Sequence, residues 1–188
     1  MKRLMLVVAL SSILIFSMAS MVLAKEGFYM GLGVPYNRIE TGGVLLADVE
    51  EIDSAQGFSI FGGYEFTPRL ALELGYMKSD HNAKELGRSI DVKVRVHTIS
   101  IKGSLMPYHS IQPYLLGSLS YGRVVIDLAD GSEEIDISSL DAGVGLDYYF
   151  LSNVSAGARL TTAYNLCFVQ CAEFVEVSSL MLNVAYHF

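Results

Sequence analysis

Four ionisable residues interrupt segments in which large apolar residues alternate with small ones: Glu73, Lys102, Asp147 and Arg159. By parity each falls on the strand face that carries glycine, serine and alanine, so the sequence predicts that all four point into one interior. Two acids and two bases can neutralise each other there, whereas an unpaired enclosed charge would be costly. Asp147 and Arg159 flank a short turn at Ser152, within cross-strand or diagonal reach, and are the simplest pair.

The same charges could instead line a gated pore or a proton path. We favour a structural salt-bridge network, because the interior of a narrow closed sheet is usually filled by its own side chains. Glu65, Asp141 and His187 are further candidates for inward positions. The sequence therefore predicts that the charged side chains form salt bridges that fill the interior.

Histidines and serines offer a second possible chemistry. His81 lies beside Asp80, His97 lies near the end of an alternating segment, and His109 precedes Ser110. A nucleophile needs a base within hydrogen-bond distance, whereas adjacent residues of a strand or turn face apart. We expect each histidine to be a polar loop or rim residue and predict no catalytic residue; lipid hydrolysis by the folded protein would contradict this.

Cys167 and Cys171 lie in the last long polar segment. In an oxidising compartment they favour a local disulfide, which would stiffen a loop tip. A zinc site would need two further ligands, and no nearby histidine supplies them. We therefore expect no metal and no cofactor.

Charge is concentrated in the long polar segments. Residues 37–56 and residues 123–138 each carry one basic and five acidic side chains, a net charge of −4. Such runs are usually solvated; binding of divalent cations that bridge to lipopolysaccharide phosphates is the alternative, but no calcium-loop spacing is present. The net charge of the whole chain, −7, excludes a protein that tracks nucleic-acid phosphates.

The N-terminus has the pattern of a secretory signal. Lys2 and Arg3 precede an apolar run over residues 4–16, and small residues lead to Ala24. We expect cleavage after Ala24, which gives a signal peptide over residues 1–24 and one domain over residues 25–188. A retained membrane helix is the weaker alternative.

The elements that position these residues are strands, because the chain alternates with a period of two. One face is large and apolar and the other is small, with residues such as Gly31, Ser59 and Gly143. A water-soluble sandwich would carry many more charged residues on its second face. Eight alternating segments are present: 28–36, 58–66, 70–76, 99–105, 113–121, 140–150, 154–164 and 180–188.

Aromatic positions and connection lengths indicate a membrane as the surrounding medium. Rings recur at both ends of the apolar face, which is typical of the two interfaces of a membrane barrel. Short turns at Thr67, Pro107 and Ser152 alternate with the long links 37–56, 78–91, 123–138 and 165–176. Aromatic positions at one end are Tyr36, Phe58, Tyr76, Tyr121 and Tyr164, and those at the other end are Phe28, Phe66, Phe150 and Phe188.

The sequence resembles the eight-stranded outer-membrane β-barrels of the OmpA/OmpX type, which include many small porin-family proteins. The resemblance covers residues 27–188 and rests on residues 57–66 (GFSIFGGYEF), residues 70–76 (LALELGY) and shorter motifs. It implies an all-β fold, an eight-stranded antiparallel up-and-down transmembrane barrel in the cell outer membrane of a Gram-negative-type cell, after a cleaved signal peptide. Tyr186 and Phe188, in the closing strand, look like the terminal signal read by the barrel-insertion machinery. The shorter motifs are Pro113-Tyr114, Gly143-Val144-Gly145 and Tyr186-His187-Phe188.

The resemblance is specific for architecture and says little about activity. We expect a structural or surface-interaction role, in membrane integrity, adhesion or contact through acidic loops, without enzymatic activity. The alternatives are a narrow channel or transporter for small or hydrophobic molecules and, as a minor one, a lipid A-modifying enzyme. The expected partners are outer-membrane lipid, lipopolysaccharide and, during assembly, the insertion machinery; we expect a monomer that binds no nucleic acid.

Overall fold

The computed structural model describes residues 26–41, 49–85, 88–128, 131–165 and 175–188. The signal peptide, residues 1–24, and the cysteines Cys167 and Cys171 lie outside these ranges. None of the described residues forms a helix long and apolar enough to cross a membrane. The described strands are β1 (Gly27–Thr41), β2 (Val49–Ile52), β3 (Ala55–Thr67), β4 (Leu70–Glu85), β5 (Arg88–Ser104), β6 (Ile111–Leu128), β7 (Gly131–Leu151), β8 (Val154–Asn165) and β9 (Val175–His187).

Eight of the described strands form a closed antiparallel barrel, which confirms the predicted fold class. Each wall strand pairs with its neighbour along the chain, and β1 pairs with both β3 and β9, so the sheet has no free edge in the wall. Strand β2 is an addition of four residues that pairs with the far end of β4. Closure satisfies every strand edge inside a membrane, where water cannot do so.

The two faces of the wall have opposite character. Large apolar side chains point outward and are about half exposed, as Leu32, Leu119 and Leu182 illustrate. Small and polar side chains point inward and are buried, including Ser59 and Ser118. An apolar outer band with a polar interior is the arrangement of a barrel surrounded by lipid, and it matches the predicted assignment of the faces.

Aromatic side chains lie at both rims of the apolar band. At the short-turn end, the ring centroids of Phe28 and Tyr64 are 4.8 Å apart and those of Tyr64 and Phe66 are 5.1 Å apart. At the other end Tyr76 and Tyr121 face outward next to His97. In barrels of the outer-membrane type, short turns face the periplasm and long connections face the exterior. By this rule the end with the short turns is the periplasmic end of the barrel.

Two of the links predicted as long polar loops are mostly paired strand. Strand β4 continues to Glu85 and pairs with β5 from Arg88, and β6 and β7 pair over the equivalent stretch. Along β5 the apolar residues Ile99 and Ile101 face outward, whereas Val92 and Val94, beyond the outer rim, are buried inside.

This inversion of apolar parity explains why the sequence prediction ended these strands too early. Lipid surrounds the lower part of each strand, so apolar residues face outward there; water surrounds the upper part, so they face inward. A search for apolar residues on the outward face alone therefore ends each strand where the surrounding medium changes from lipid to water. The inward apolar cluster above the rim contains Ala83, Ile90, Val92, Val94, Val96 and Ile126.

Candidate functional site

The four predicted charges lie together in one layer across the barrel interior. Glu73 comes from β4, Lys102 from β5, Asp147 from β7 and Arg159 from β8, and each points inward because it has the parity of the small residues. None is more than 8% exposed. Four strands around the wall thus each supply one charged side chain to the same level.

Glu73 and Arg159 form a bidentate ion pair. Arg159 Nη1 donates to Glu73 Oε1 at 2.6 Å, and Nη2 donates to Oε2 at 3.0 Å. Tyr29 Oη donates to Glu73 Oε2 at 3.1 Å, and Arg159 Nε donates to Tyr114 Oη at 3.2 Å. Parallel hydrogen bonds fix the planar guanidinium, so both charges are paired and held in one orientation.

Lys102 and Asp147 form the second pair, with Lys102 Nζ donating to Asp147 Oδ2 at 2.5 Å. The ammonium also lies 4.4 Å from the centroid of the Tyr114 ring. The pairing of Asp147 with Arg159 that the sequence favoured is therefore wrong. Arg159 is longer and reaches across the barrel to Glu73, a contact between residues far apart in sequence that turn proximity does not indicate.

Glycines on neighbouring strands make room for this layer. Gly63 is the cross-strand partner of Tyr29, and Gly145 is the partner of Tyr114. A Cβ atom at either glycine would clash with the tyrosine ring opposite. These glycines are needed for close approach, and they allow two tyrosines to lie flat across the interior beside the ion pairs.

The three other predicted positions, Glu65, Asp141 and His187, also face inward, at different levels. Asp141 accepts hydrogen bonds from Ser139 and Ser120 on the exterior side of the layer. His187 lies on the periplasmic side, where its Nδ1 is 3.9 Å from Glu65 Oε1 and its Nε2 is 3.1 Å from Ser155 Oγ. The charged groups therefore occupy three levels of the interior.

The layer separates two spaces inside the described part of the barrel. On the exterior side is a cavity of about 110 Å³. On the periplasmic side is an open mouth of about 420 Å³ between the short turns, with His187 and Glu65 in its wall. The upper cavity is lined by apolar as well as polar side chains, and its hydroxyl groups include those of Ser59, Ser100, Ser118, Ser120, Ser139 and Ser179.

Sequence reasoning missed a second polar cluster, in the wall of this cavity. His81 was expected in a loop or at a rim, but it lies on β4 and is buried. Its Nε2 is 2.9 Å from Ser79 Oγ and its Nδ1 is 3.0 Å from Asp53 O, while Asn37 Nδ2 donates to Ser79 Oγ at 3.1 Å. The i, i+2 spacing of Ser79 and His81 places both on one strand face and could have signalled the contact.

The Ser79 and His81 pair has the hydrogen bond of a nucleophile with its base. However, neither side chain is more than 2% exposed, so a lipid at the outer surface does not reach the hydroxyl. The other two histidines match the expectation of exposed rim or turn residues. His97 faces outward beside Tyr76, and His109 lies in the turn with Nδ1 3.3 Å from Pro107 O.

Within the described ranges, no group of three His, Cys, Asp or Glu side chains is placed to hold a metal ion.

Phe188 donates its backbone N–H to Phe28 O at 2.9 Å, and its ring centroid is 5.0 Å from that of Tyr186. The predicted terminal signal thus lies in the aromatic rim at the periplasmic end.

A closed eight-stranded barrel with an apolar outer band, two aromatic rims and a polar filled interior is the architecture of an outer-membrane protein. The family model of the outer membrane protein beta-barrel domain matches residues 7–188, so the chain belongs to that family, and its location is the cell outer membrane.

Comparisons with individual proteins agree with the family. Outer membrane porin F of Pseudomonas fluorescens is 33% identical over 112 residues, which is 55% of this chain; the chain spans only about a third of that relative. Neisserial surface protein A matches with a TM-score of 0.66 at 23% identity, over 86% of this chain and 97% of that one. Ail, the attachment invasion locus protein of Yersinia pestis, matches with a TM-score of 0.61 at 18% identity, over 87% and 99% of the two chains.

Proposed function

We propose that this outer-membrane barrel has a structural or surface-interaction role and does not pass solutes through its interior. The observation that carries this proposal is the layer of two ion pairs and two tyrosines across the barrel. Glu73 and Arg159 form one buried ion pair of this layer, and Lys102 and Asp147 form the other. A pore would need this layer to open, and breaking a buried pair costs several kcal/mol.

The hairpins that rise above the outer rim support a surface role. Strands β4 to β7 continue past the rim as paired strands, so the exterior part is a rigid extension of the wall. Its outer face is charged: Lys93 Nζ donates to Asp127 at 2.5 Å, and this carboxylate raises the pKa of Lys93. The name of Ail indicates attachment for that relative, and this chain has the same fold with a firm, charged exterior surface.

The expected partners belong to the same proposal. The apolar outer band fits outer-membrane lipid, and the charged surface above it fits the headgroups of lipopolysaccharide. The closed wall needs no second copy to complete its strand pairing, which supports a monomer. The terminal Tyr186 and Phe188 would be read by the insertion machinery while the last strand is still unpaired.

The proposal can be tested in the native host by deleting the protein and restoring it in two forms. One form is the full chain, and the other has residues 125–134 replaced by an Asn-Gly turn, which removes the end of the β6–β7 hairpin. We expect the deletion to increase uptake of a hydrophobic dye and to reduce surface attachment. Both forms should restore the dye barrier, but only the full chain should restore attachment. An unchanged barrier and unchanged attachment after deletion would contradict the proposal.

A narrow channel is the second candidate, because a specific observation favours it. The cavity above the charged layer and the mouth below it lie on opposite sides of the two ion pairs and of the Tyr29 and Tyr114 rings. A channel would require both the ion pairs and these rings to move aside. Conductance across planar bilayers distinguishes this candidate from the surface role.

A further inference from the structure

Three basic residues form a continuous cross-strand row on the outside of the barrel. Lys78 on β4 is the direct partner of Arg95 on β5, and Arg95 is the direct partner of Arg123 on β6. Directly opposed like charges destabilise a sheet. Three of them in register on neighbouring strands therefore favour the approach of an anion to the row.

The row has a defined height relative to the membrane. Two residues below it on the same strands lies the aromatic row Tyr76, His97 and Tyr121, whose members are again direct partners. Two outward positions along a strand are about 7 Å apart, and the strands of such barrels are tilted by about 40° from the membrane normal. The basic row therefore lies about 5 Å beyond the aromatic row along the membrane normal, in the region of the lipid headgroups.

The layer below the rim is a matching apolar surface. Leu74, Ile99 and Leu119 are direct cross-strand partners, face outward and are all more than half exposed. The inversion of apolar parity between Ile99 and Val96 independently places the boundary between lipid and water at this rim. One patch of β4, β5 and β6 thus presents apolar, aromatic and basic rows in ascending order.

Existing ion pairs leave the centre of the row available. Lys78 Nζ is 3.2 Å from Asp80, and Arg123 contacts Glu134 and Asp136, but all these side chains are at least 43% exposed and such pairs are weak. Arg95 is exposed and forms no ion pair with another described residue. An incoming anion would be held by Arg95 and would compete easily for its two neighbours.

We propose that this patch is a docking site for a phosphorylated lipid of the outer leaflet. Its acyl chains lie along the row of Leu74, Ile99 and Leu119, and its phosphate is held by Arg95 between Lys78 and Arg123. Arginine binds phosphate in a bidentate manner. The apolar row, which lies below the aromatic row, adds contacts that a ligand with charge alone cannot make. The inference rests on the proposed membrane-surface role and adds to it the residues that hold one lipid.

The test uses the refolded chain in phosphatidylcholine nanodiscs with or without diphosphorylated lipid A, and native mass spectrometry to count bound lipid A. Arg95→Gln is the variant, and Arg95→Lys keeps the charge. The matched control is Lys93→Gln, which removes one outward charge from the same strand one row higher. Inorganic phosphate and dephosphorylated lipid A identify which part of the ligand is recognised.

We expect Arg95→Gln to weaken lipid A binding about fivefold, since one cation near an anionic headgroup is worth about 1 kcal/mol. Arg95→Lys should retain most of the affinity, and Lys93→Gln should bind like the parent chain. Equal effects of Arg95→Gln and Lys93→Gln would overturn the proposal, as would equal binding of dephosphorylated lipid A. Full displacement by inorganic phosphate would show a free-anion site and would also overturn it. Steady conductance of the barrel or an unchanged dye barrier would contradict only the proposed surface role, whereas the lipid A binding results test only the docking site. A failure of one proposal can therefore be distinguished from a failure of the other.

Discussion

The pairing inside the barrel makes a quantitative prediction for Arg159→Met. This change removes both hydrogen bonds that Glu73 receives from the guanidinium and leaves a carboxylate that is 1% exposed, with only the Tyr29 hydroxyl as a donor. Breaking a buried pair on one side costs about 3–5 kcal/mol. Adding Glu73→Gln removes the stranded charge, so we expect the double variant to recover about 2 kcal/mol relative to the sum of the single changes.

The assay is urea unfolding of the refolded chain in lipid vesicles, followed by circular dichroism because the chain has no tryptophan. The control is the same cycle with Asp147→Asn in place of Glu73→Gln. Because Asp147 pairs with Lys102, its coupling to Arg159 should be smaller by at least about 1 kcal/mol. An equal or larger coupling to Asp147 would refute the assignment of partners.

Three further changes follow from the same contacts. Gly145→Val should lower the free energy of unfolding by about 1–3 kcal/mol, because its side chain meets the Tyr114 ring, whereas Gly117→Val, with open space around it, should have little effect; equal losses in urea unfolding would contradict this. Tyr114→Phe should cost about 1 kcal/mol in the same assay by removing the hydroxyl that accepts from Arg159, and an unchanged midpoint would contradict that. Deleting Phe188 should permit refolding in detergent but reduce insertion in cells; normal insertion would show that the ring is only a rim residue.

The eight wall strands and their lipid-facing side could be predicted because a period of two is a local property of the sequence. In residues 28–36 every second residue is large and apolar, and in β1 these residues face outward, as predicted. The upper parts of β4 to β7 could not be found in this way. There the surrounding medium changes from lipid to water, and Val92 and Val94 occupy the face opposite to Ile99.

The interior charges could be assigned to a face but not to partners. Parity alone indicates that Glu73 and Arg159 point inward, yet their contact joins β4 to β8 across the barrel and depends on strand stagger and side-chain length. His81 was missed for a related reason. Its neighbours Asp80 and Asn82 made the segment look like a loop, although the structure continues β4 through it.

Planar-bilayer conductance of the refolded chain shows whether the charged layer closes the interior. We expect no steady conductance for the parent chain at moderate voltage. A variant with both Glu73→Ala and Arg159→Ala, which removes one ion pair without leaving an unpaired buried charge, should conduct small ions. Steady conductance of the parent chain, equal to that of the double variant, would show that the layer does not close the interior and would favour the channel.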